Sequence, residues 1–242
     1  MSEPVATYLP RASADVPIND RTNNSRLLQR RHALATLLTA PLLSTPPTAA
    51  TAGLLAPTPQ QTLGPFYPRS VAEQPQETDA DLLTVDGERV LTRGVPLYLT
   101  GRVLTRRGKP LAQARVEIWQ CDANAVYHHP HGGADSERDP HFQGYGQTRT
   151  DADGVFHFRT IEPVPYPGRT PHIHVRVQAI GHAALASQLY LPEHPGNASD
   201  FLYRRLSAAE RALVTLRLEP TRANHPLAAL TRRMARIALV LG

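Results

Sequence analysis

A single cysteine, Cys121, stands in a chain of 242 residues. That excludes an internal disulfide framework and any zinc cluster built from thiolates. Rigidity must therefore come from a packed core or from a metal held by other side chains. No internal repeat is evident, and the longest apolar run near the N-terminus, residues 33–43, is too short to span a bilayer. Lysine and arginine exceed aspartate and glutamate by 26 to 21, a formal net charge of +5, yet the excess is scattered. Its densest groups, Arg106-Arg107-Gly108-Lys109 and Arg232-Arg233, are not interleaved with aromatics, so nucleic-acid binding is not expected. A modest positive field would help attract an anionic aromatic acid, although ordinary solvated surface accounts for each charge taken singly. Proline, by contrast, is abundant at 23 residues beside 15 glycines, which points to turns and short strands rather than a helical bundle. A hydrophobic fraction of 41% supports a packed core, and the length suits one domain with a leader.

Residues 1–58 read as that leader, an export signal or a disordered tail, with the domain at 59–242. Arg30-Arg31 precedes the apolar run, and Ala50-Thr51-Ala52 resembles a signal-peptidase site. The paired arginines suit the twin-arginine route, which carries folded proteins and would suit one loaded with metal before export. The expectation is a periplasmic or extracellular protein, with no stable membrane association after export. The residues ahead of Arg30 make a long leader, and a tail that happens to contain Arg-Arg in a cytoplasmic protein is the alternative.

Strand signals begin at residue 95. Val95, Leu97, Leu99 and Val103 share one parity, and Arg107-Gly108-Lys109-Pro110 reads as a turn. Arg115–Gln120 alternates again. Asp151-Ala152-Asp153-Gly154 reads as a hairpin turn feeding Val155–Arg159; the downstream pattern of a calcium loop is missing. His172–Val177 alternates with period two, and Arg236–Leu241 looks like a closing strand. One helix is credible: Ser207 and Glu210 form a capping-box pattern ahead of Ala212-Leu213-Val214 and Leu216. The set predicts an all-β, antiparallel β-sandwich with one short helix and long loops.

His172 and His174 lie on one face of a predicted strand, with Ile173, Val175 and Val177 on the other. Adjacent imidazoles in a chain without usable thiols suggest a metal, though a solvated strand face gives the same pattern. Tyr166 precedes them in a proline-rich segment, and Tyr127 follows the Trp119 strand. A phenol ordinarily holds its proton to about pH 10, but a trivalent cation favours the phenolate. Two phenolates and two imidazoles suit Fe(III) better than zinc or copper. Each tyrosine alone also fits a core or loop residue with a bonded hydroxyl. His128, His129, His131 and His141 read as a solvated loop or a pocket rim. Cys121 reads as a small buried filler.

Several segments, in order, resemble the intradiol ring-cleavage dioxygenases, the family of the protocatechuate and catechol enzymes. They are Gln61–Pro68, Val116–Gln120, Thr150–Gly154, Phe158–Ile161 with Pro165-Tyr166-Pro167, Arg169–His174 and Gln188-Leu189-Tyr190. The resemblance runs from about Gln61 to Gly242. It implies a ferric ion held by Tyr127 and His172 in equatorial positions and by Tyr166 and His174 in axial ones. It also implies that Tyr166 departs when a catechol chelates the metal, and that Arg169 steadies charge on the substrate. Gln188 is implied to lie near the iron pocket, and Trp119 on the substrate side, where a core anchor serves as an equal reading. The implied activity is cleavage of a catechol-type ring with O2 between its hydroxyl-bearing carbons, giving a muconate-type diacid. The implied partners are the catecholic substrate, O2 and, in some relatives, further copies of the chain. A binding module that kept the fold without catalysis is the rival, opposed by the presence of all four ligand positions together with Arg169. Only Pro167 and Gly168 separate Tyr166 from Arg169. That is shorter than in protocatechuate enzymes and resembles an exported branch, which leaves the ring substituents open. Residues 1–60 do not supply the long helical dimerisation region of the catechol and hydroxyquinol enzymes.

Overall fold

A computed structural model describes residues 53–70, 73, 75, 77–87, 93–221, 231 and 233–242. The candidate export signal, with Arg30-Arg31 and Ala50-Thr51-Ala52, lies outside the described residues. Among the described residues, eight strands form two four-stranded sheets. The strands are β1 (Pro96–Thr105), β2 (Arg115–Trp119), β3 (Tyr145–Arg149), β4 (Val155–Ile161), β5 (His172–Gln178), β6 (Leu185–Tyr190), β7 (Arg217–Pro220) and β8 (Arg233–Leu241). Their orders are β4-β1-β8-β7 and β3-β2-β5-β6. Among the described strands every ladder but one is antiparallel. The exception is β1 with β8, where Leu97 to Thr105 run parallel to Arg233 to Leu241. These two strands are far apart in the chain, so no hairpin forces them to oppose each other.

The sandwich follows from strand alternation. Leu97, Leu99 and Val103 of β1, Val116 and Ile118 of β2, Phe156 and Phe158 of β4, and Ile173, Val175 and Val177 of β5 point inward and share one buried cluster. Full burial of each such side chain contributes about 1.5–3 kcal/mol. Gly101 sits where β1 passes the aromatic layer: a Cβ there would lie 2.3 Å from the Phe156 ring. The Asp151–Gly154 turn forms as expected, with the Asp151 carboxylate accepting from the Asp153 and Val155 amides.

Several local readings change. Val95 is 46% exposed and lies before β1, which opens at Pro96. The helix α1 spans Ala208–Val214 with the expected Ser207–Glu210 capping box, but Leu216 lies beyond it, its amide bonded to the Tyr190 carbonyl. Strands β3, β6 and β7 carried no strand signal of their own. β6 is buried at every position, so period-two alternation is erased, while β3 and β7 are short and largely polar. The segment on either side of residue 59 is also tied to the fold. Leu55 N donates to Arg106 O, Thr58 N to Val240 O and Gln61 N to Ala186 O, so the chain covers backbone edges of both sheets.

Candidate metal centre

The outer face of β5 meets two loops. β5 contributes His172 and His174, each 2% exposed, and the register sets Trp119 of β2 opposite His174. The Trp119 and His174 rings stack at 4.8 Å and 10°. The loop after β2 brings Tyr127, 3% exposed, and the turn Tyr166–Arg169 brings a half-buried Tyr166. The structure thus brings all four residues together. The His172 and His174 Nε2 atoms lie 3.2 Å apart, and Tyr127 Oη is 3.4 Å from His172 Nε2. Tyr166 packs with its ring centroid 5.6 Å from those of both Tyr127 and His172.

Local contacts prepare the donor atoms. His172 Nδ1 lies 2.7 Å from the Thr170 carbonyl, an acceptor only, so the proton sits on Nδ1 and Nε2 offers its lone pair. His174 Nδ1 is buried without a hydrogen-bond partner among the described residues. Burial, then the Arg169 charge, lowers His172 to about 4. Burial, then His172 and Arg169, holds His174 well below its usual range. Burial pushes the Tyr127 phenol well above 10, and it pushes Tyr166 up against the pull of Arg169. The protein surroundings alone therefore favour neutral phenols and neutral imidazoles. A multivalent cation reverses the balance for the phenols and finds the imidazole lone pairs free. Among the described residues no group of three or more His, Cys, Asp or Glu could hold a metal, so a site on β5 needs the phenols. Two oxygens and two nitrogens with no thiol fit a hard ferric ion.

Arg169 borders the same space. Its Nη1 lies 3.4 Å from both Tyr166 Oη and His172 Nε2, and its Nη2 donates to Gln188 Oε1 at 2.5 Å. Gln188, fully buried on β6, thus meets the arginine directly. Burial opposes the Arg169 charge, but the hydrogen bond and charge of Asp200 outweigh it and raise its pKa. Trp119 lies beneath His174 in the aromatic cluster with Tyr127 and Cys121. Cys121 is the buried filler expected, its thiol pushed up to about 12 by burial and then by Asp122.

The histidines after Tyr127 are not solvated throughout: His128 and His129 line a pocket, in keeping with the rim reading. His129 is 3% exposed and lies 3.5 Å from Glu73, and His128 bonds Asp122 at 3.1 Å; of the four, only His131 is exposed. The buried Asp122 carboxylate gathers this loop by accepting from the Asn124, Val126 and Asp139 amides. Other residues at the centre received no role from the sequence. Phe66 stacks on Tyr127 at 4.3 Å and 21°. Gly64, at φ +76°, passes so close to His174 that a Cβ would lie 3.2 Å from its Cε1. Asp200 could have been sought only by asking which carboxylate neutralises a buried Arg169.

The chain matches the Dioxygenase family model over residues 63–231. It is 34% identical over 144 residues to the protocatechuate 3,4-dioxygenase beta chain of Burkholderia cepacia, covering 55% of this chain and 61% of that one. It is 28% identical over 159 residues to a catechol 1,2-dioxygenase of Candida albicans, covering 58% and 49%. The chain thus spans about half to three fifths of the length of these curated relatives. The dioxygenase domain of a dioxygenase–carbohydrate-binding fusion from Streptomyces sp. SirexAA-E superposes with a TM-score of 0.57 at 33% identity, covering 77% of this chain and 98% of that one. Together with the sandwich and the convergence on β5, these matches show that the chain belongs to the intradiol ring-cleavage dioxygenase family.

Proposed function

We propose that this protein binds one ferric ion through Tyr127, Tyr166, His172 and His174 and cleaves a catechol-type ring with O2 between its two hydroxyl-bearing carbons. The reading rests chiefly on the pair of His172 and His174 Nε2 atoms 3.2 Å apart, with the Tyr127 hydroxyl 3.4 Å away. O2 adds as two oxygen atoms across the broken carbon–carbon bond, so a catechol becomes a muconate-type diacid with no other reductant.

Bound iron would supply the cationic centre that a catechol dianion chelates and that makes its ring reactive to O2. The chain's own groups divide the remaining work. Tyr127, sealed beneath Phe66, is built to stay in place. Tyr166 sits on a turn beside exposed Pro165, Pro167 and Gly168 and is the phenol free to move. A catechol must lose two protons to chelate. With iron bound, one proton would pass to hydroxide from solvent and the Tyr166 phenolate Oη would be placed to accept the other, becoming a neutral phenol while Tyr127 stays anionic. The Arg169 guanidinium, 3.4 Å from Tyr166 Oη, holds a fixed positive charge beside the oxygens where negative charge builds. The test is an oxygen-electrode screen of iron-loaded protein against catechol, protocatechuate, hydroxyquinol and their chlorinated or alkylated analogues, with mass analysis of the acids formed. No oxygen uptake with any of them by protein carrying stoichiometric iron would defeat the proposal.

A further inference from the structure

Arg169 is held from two sides by one step of chain that lies outside the centre. A guanidinium is a flat fork, and fixing one edge fixes the direction of its remaining N–H groups. Here Nε donates to Asp200 Oδ2 at 2.8 Å. Nη2 is taken by Gln188, so Nη1 alone faces Tyr166 and His172. Across the flat face lies Phe201, its ring centroid 5.3 Å from Arg169 Cζ. Phe201 is itself 53% exposed, whereas the Arg169 side chain is only 7% exposed. An exposed aromatic ring on a nearly buried cation shields that cation from water at the rim of the site.

The carboxylate is rigid in its turn. Asp200 Oδ2 also accepts from Thr170 N at 3.0 Å, and Oδ1 accepts from Leu202 N and Tyr203 N. The Asp200 side chain is fully buried, so every lone pair it uses is spent on these donors. Thr170 is also the residue whose carbonyl accepts the hydrogen bond from His172 Nδ1. One carboxylate thus anchors both the arginine fork and the peptide that orients His172.

We propose that Asp200 and Phe201 are positioning residues: they aim the Arg169 Nη1 at the substrate's reacting oxygens, Asp200 by fixing the edge of the fork and Phe201 by covering its face. The inference rests on the role given to Arg169 above. A purely structural role would make Asp200 a counter-ion whose loss lowers stability and nothing else.

The test uses full-length, ferric-loaded protein carrying Asp200→Asn, Phe201→Leu, Arg169→Gln and the pairs with Arg169→Gln. Asp200→Asn sets an amide N–H2 against two donors, or else gives up the Leu202 and Tyr203 caps. It is expected to lower kcat/KM for catechol roughly tenfold to a hundredfold, the worth of one charge-assisted hydrogen bond in a buried site. Phe201→Leu, on an exposed side chain that does not threaten folding, is expected to cost about threefold. Both losses should fall on kcat, while anaerobic binding of 4-nitrocatechol, followed by its visible spectrum, changes less. In the Arg169→Gln background neither substitution should cost more than about twofold, because residues acting as a unit are not additive.

An activity-independent reading comes from the gallium(III)-loaded, diamagnetic protein. A slowly exchanging Arg169 Nε–H resonance is expected in the parent and should be lost in Asp200→Asn. Parental kcat/KM in both single variants, or their full losses repeated on Arg169→Gln, would overturn the positioning role while leaving Arg169 itself standing. Parental turnover in Arg169→Gln would instead bring down the reading of Arg169, and with it the need to aim it.

Discussion

Replacing Tyr166 with phenylalanine removes one oxygen and separates folding from turnover. The hydroxyl accepts from Arg169 Nη1 at 3.4 Å, a long contact on a half-buried ring. Its loss should cost less than about 1 kcal/mol of stability, a fall in Tm of no more than about 4 °C for a domain of this size. The turn itself persists, because Arg169 N donates to the Tyr166 carbonyl rather than to its side chain. Iron would remain on Tyr127, His172 and His174. Turnover should fall sharply, since a positioned group that accepts a proton is worth typically 10²- to 10⁴-fold, or about 3–5 kcal/mol of barrier. Tyr127→Phe should behave differently. That residue is 3% exposed, is packed under Phe66, and supplies the phenolate that remains in the substrate complex. Its loss should deplete iron and abolish the visible colour even with catechol present. The assays are iron content by elemental analysis, anaerobic catechol titration followed in the visible, and kcat/KM for both variants. Unchanged kcat/KM in Tyr166→Phe, or iron loss as complete as in Tyr127→Phe, would refute the division of labour between the two phenols.

Ferric-loaded protein should be red-brown from phenolate-to-iron charge transfer; colourless protein with stoichiometric zinc, and no activity gained on iron loading, would contradict the donor assignment. His172→Ala and His174→Ala should each weaken iron binding at least about a hundredfold, since even groups that only orient ligands are worth up to that much; competition with a chelator measures it. Gly64→Ala forces a side chain onto φ +76° and sets its Cβ 3.2 Å from His174 Cε1, which should cost about 1 kcal/mol of strain and loosen iron; an unchanged visible spectrum and iron content would show that the ring yields freely. For acid stability, burial pushes the Asp122 carboxyl up, but His128 and the Asp139 and Val126 amides hold it below 3.8. A carboxylate depressed in the folded state stabilises above its unfolded pKa and loses that effect as pH falls through the folded value. Asp122→Asn should therefore flatten the stability–pH curve below about pH 4, as urea unfolding would record. For localisation we propose export with cleavage near Ala52, and intact Met1 in cytoplasmic protein alone would contradict it.

Much of this protein was legible because strand alternation is a one-dimensional signal. Leu97 and Leu99, or Ile173 and Val175, announce an inward face wherever they stand, and His172 and His174 must then share the other. The Ser207–Glu210 capping box is equally local and formed as read. Strand β6 was hidden because burial on both faces removes the alternation, and the burial of His128 and His129 was hidden because Asp122 and Glu73 meet them only in the folded loop. Composition and spacing by themselves determined the sandwich, the shared face of His172 and His174 and the exclusion of disulfides and thiolate clusters, since these depend on residue type and neighbouring positions, whereas Tyr127 and Tyr166 were singled out as ligands by the family resemblance. The tertiary structure decided that Tyr127 is sealed under Phe66 while Tyr166 sits on an open turn. It also decided that Asp200 grips Arg169 and that Gly64 brushes His174. Those are meetings between residues 30 to 110 positions apart, and only the folded register of two sheets and their loops brings such groups within hydrogen-bonding reach.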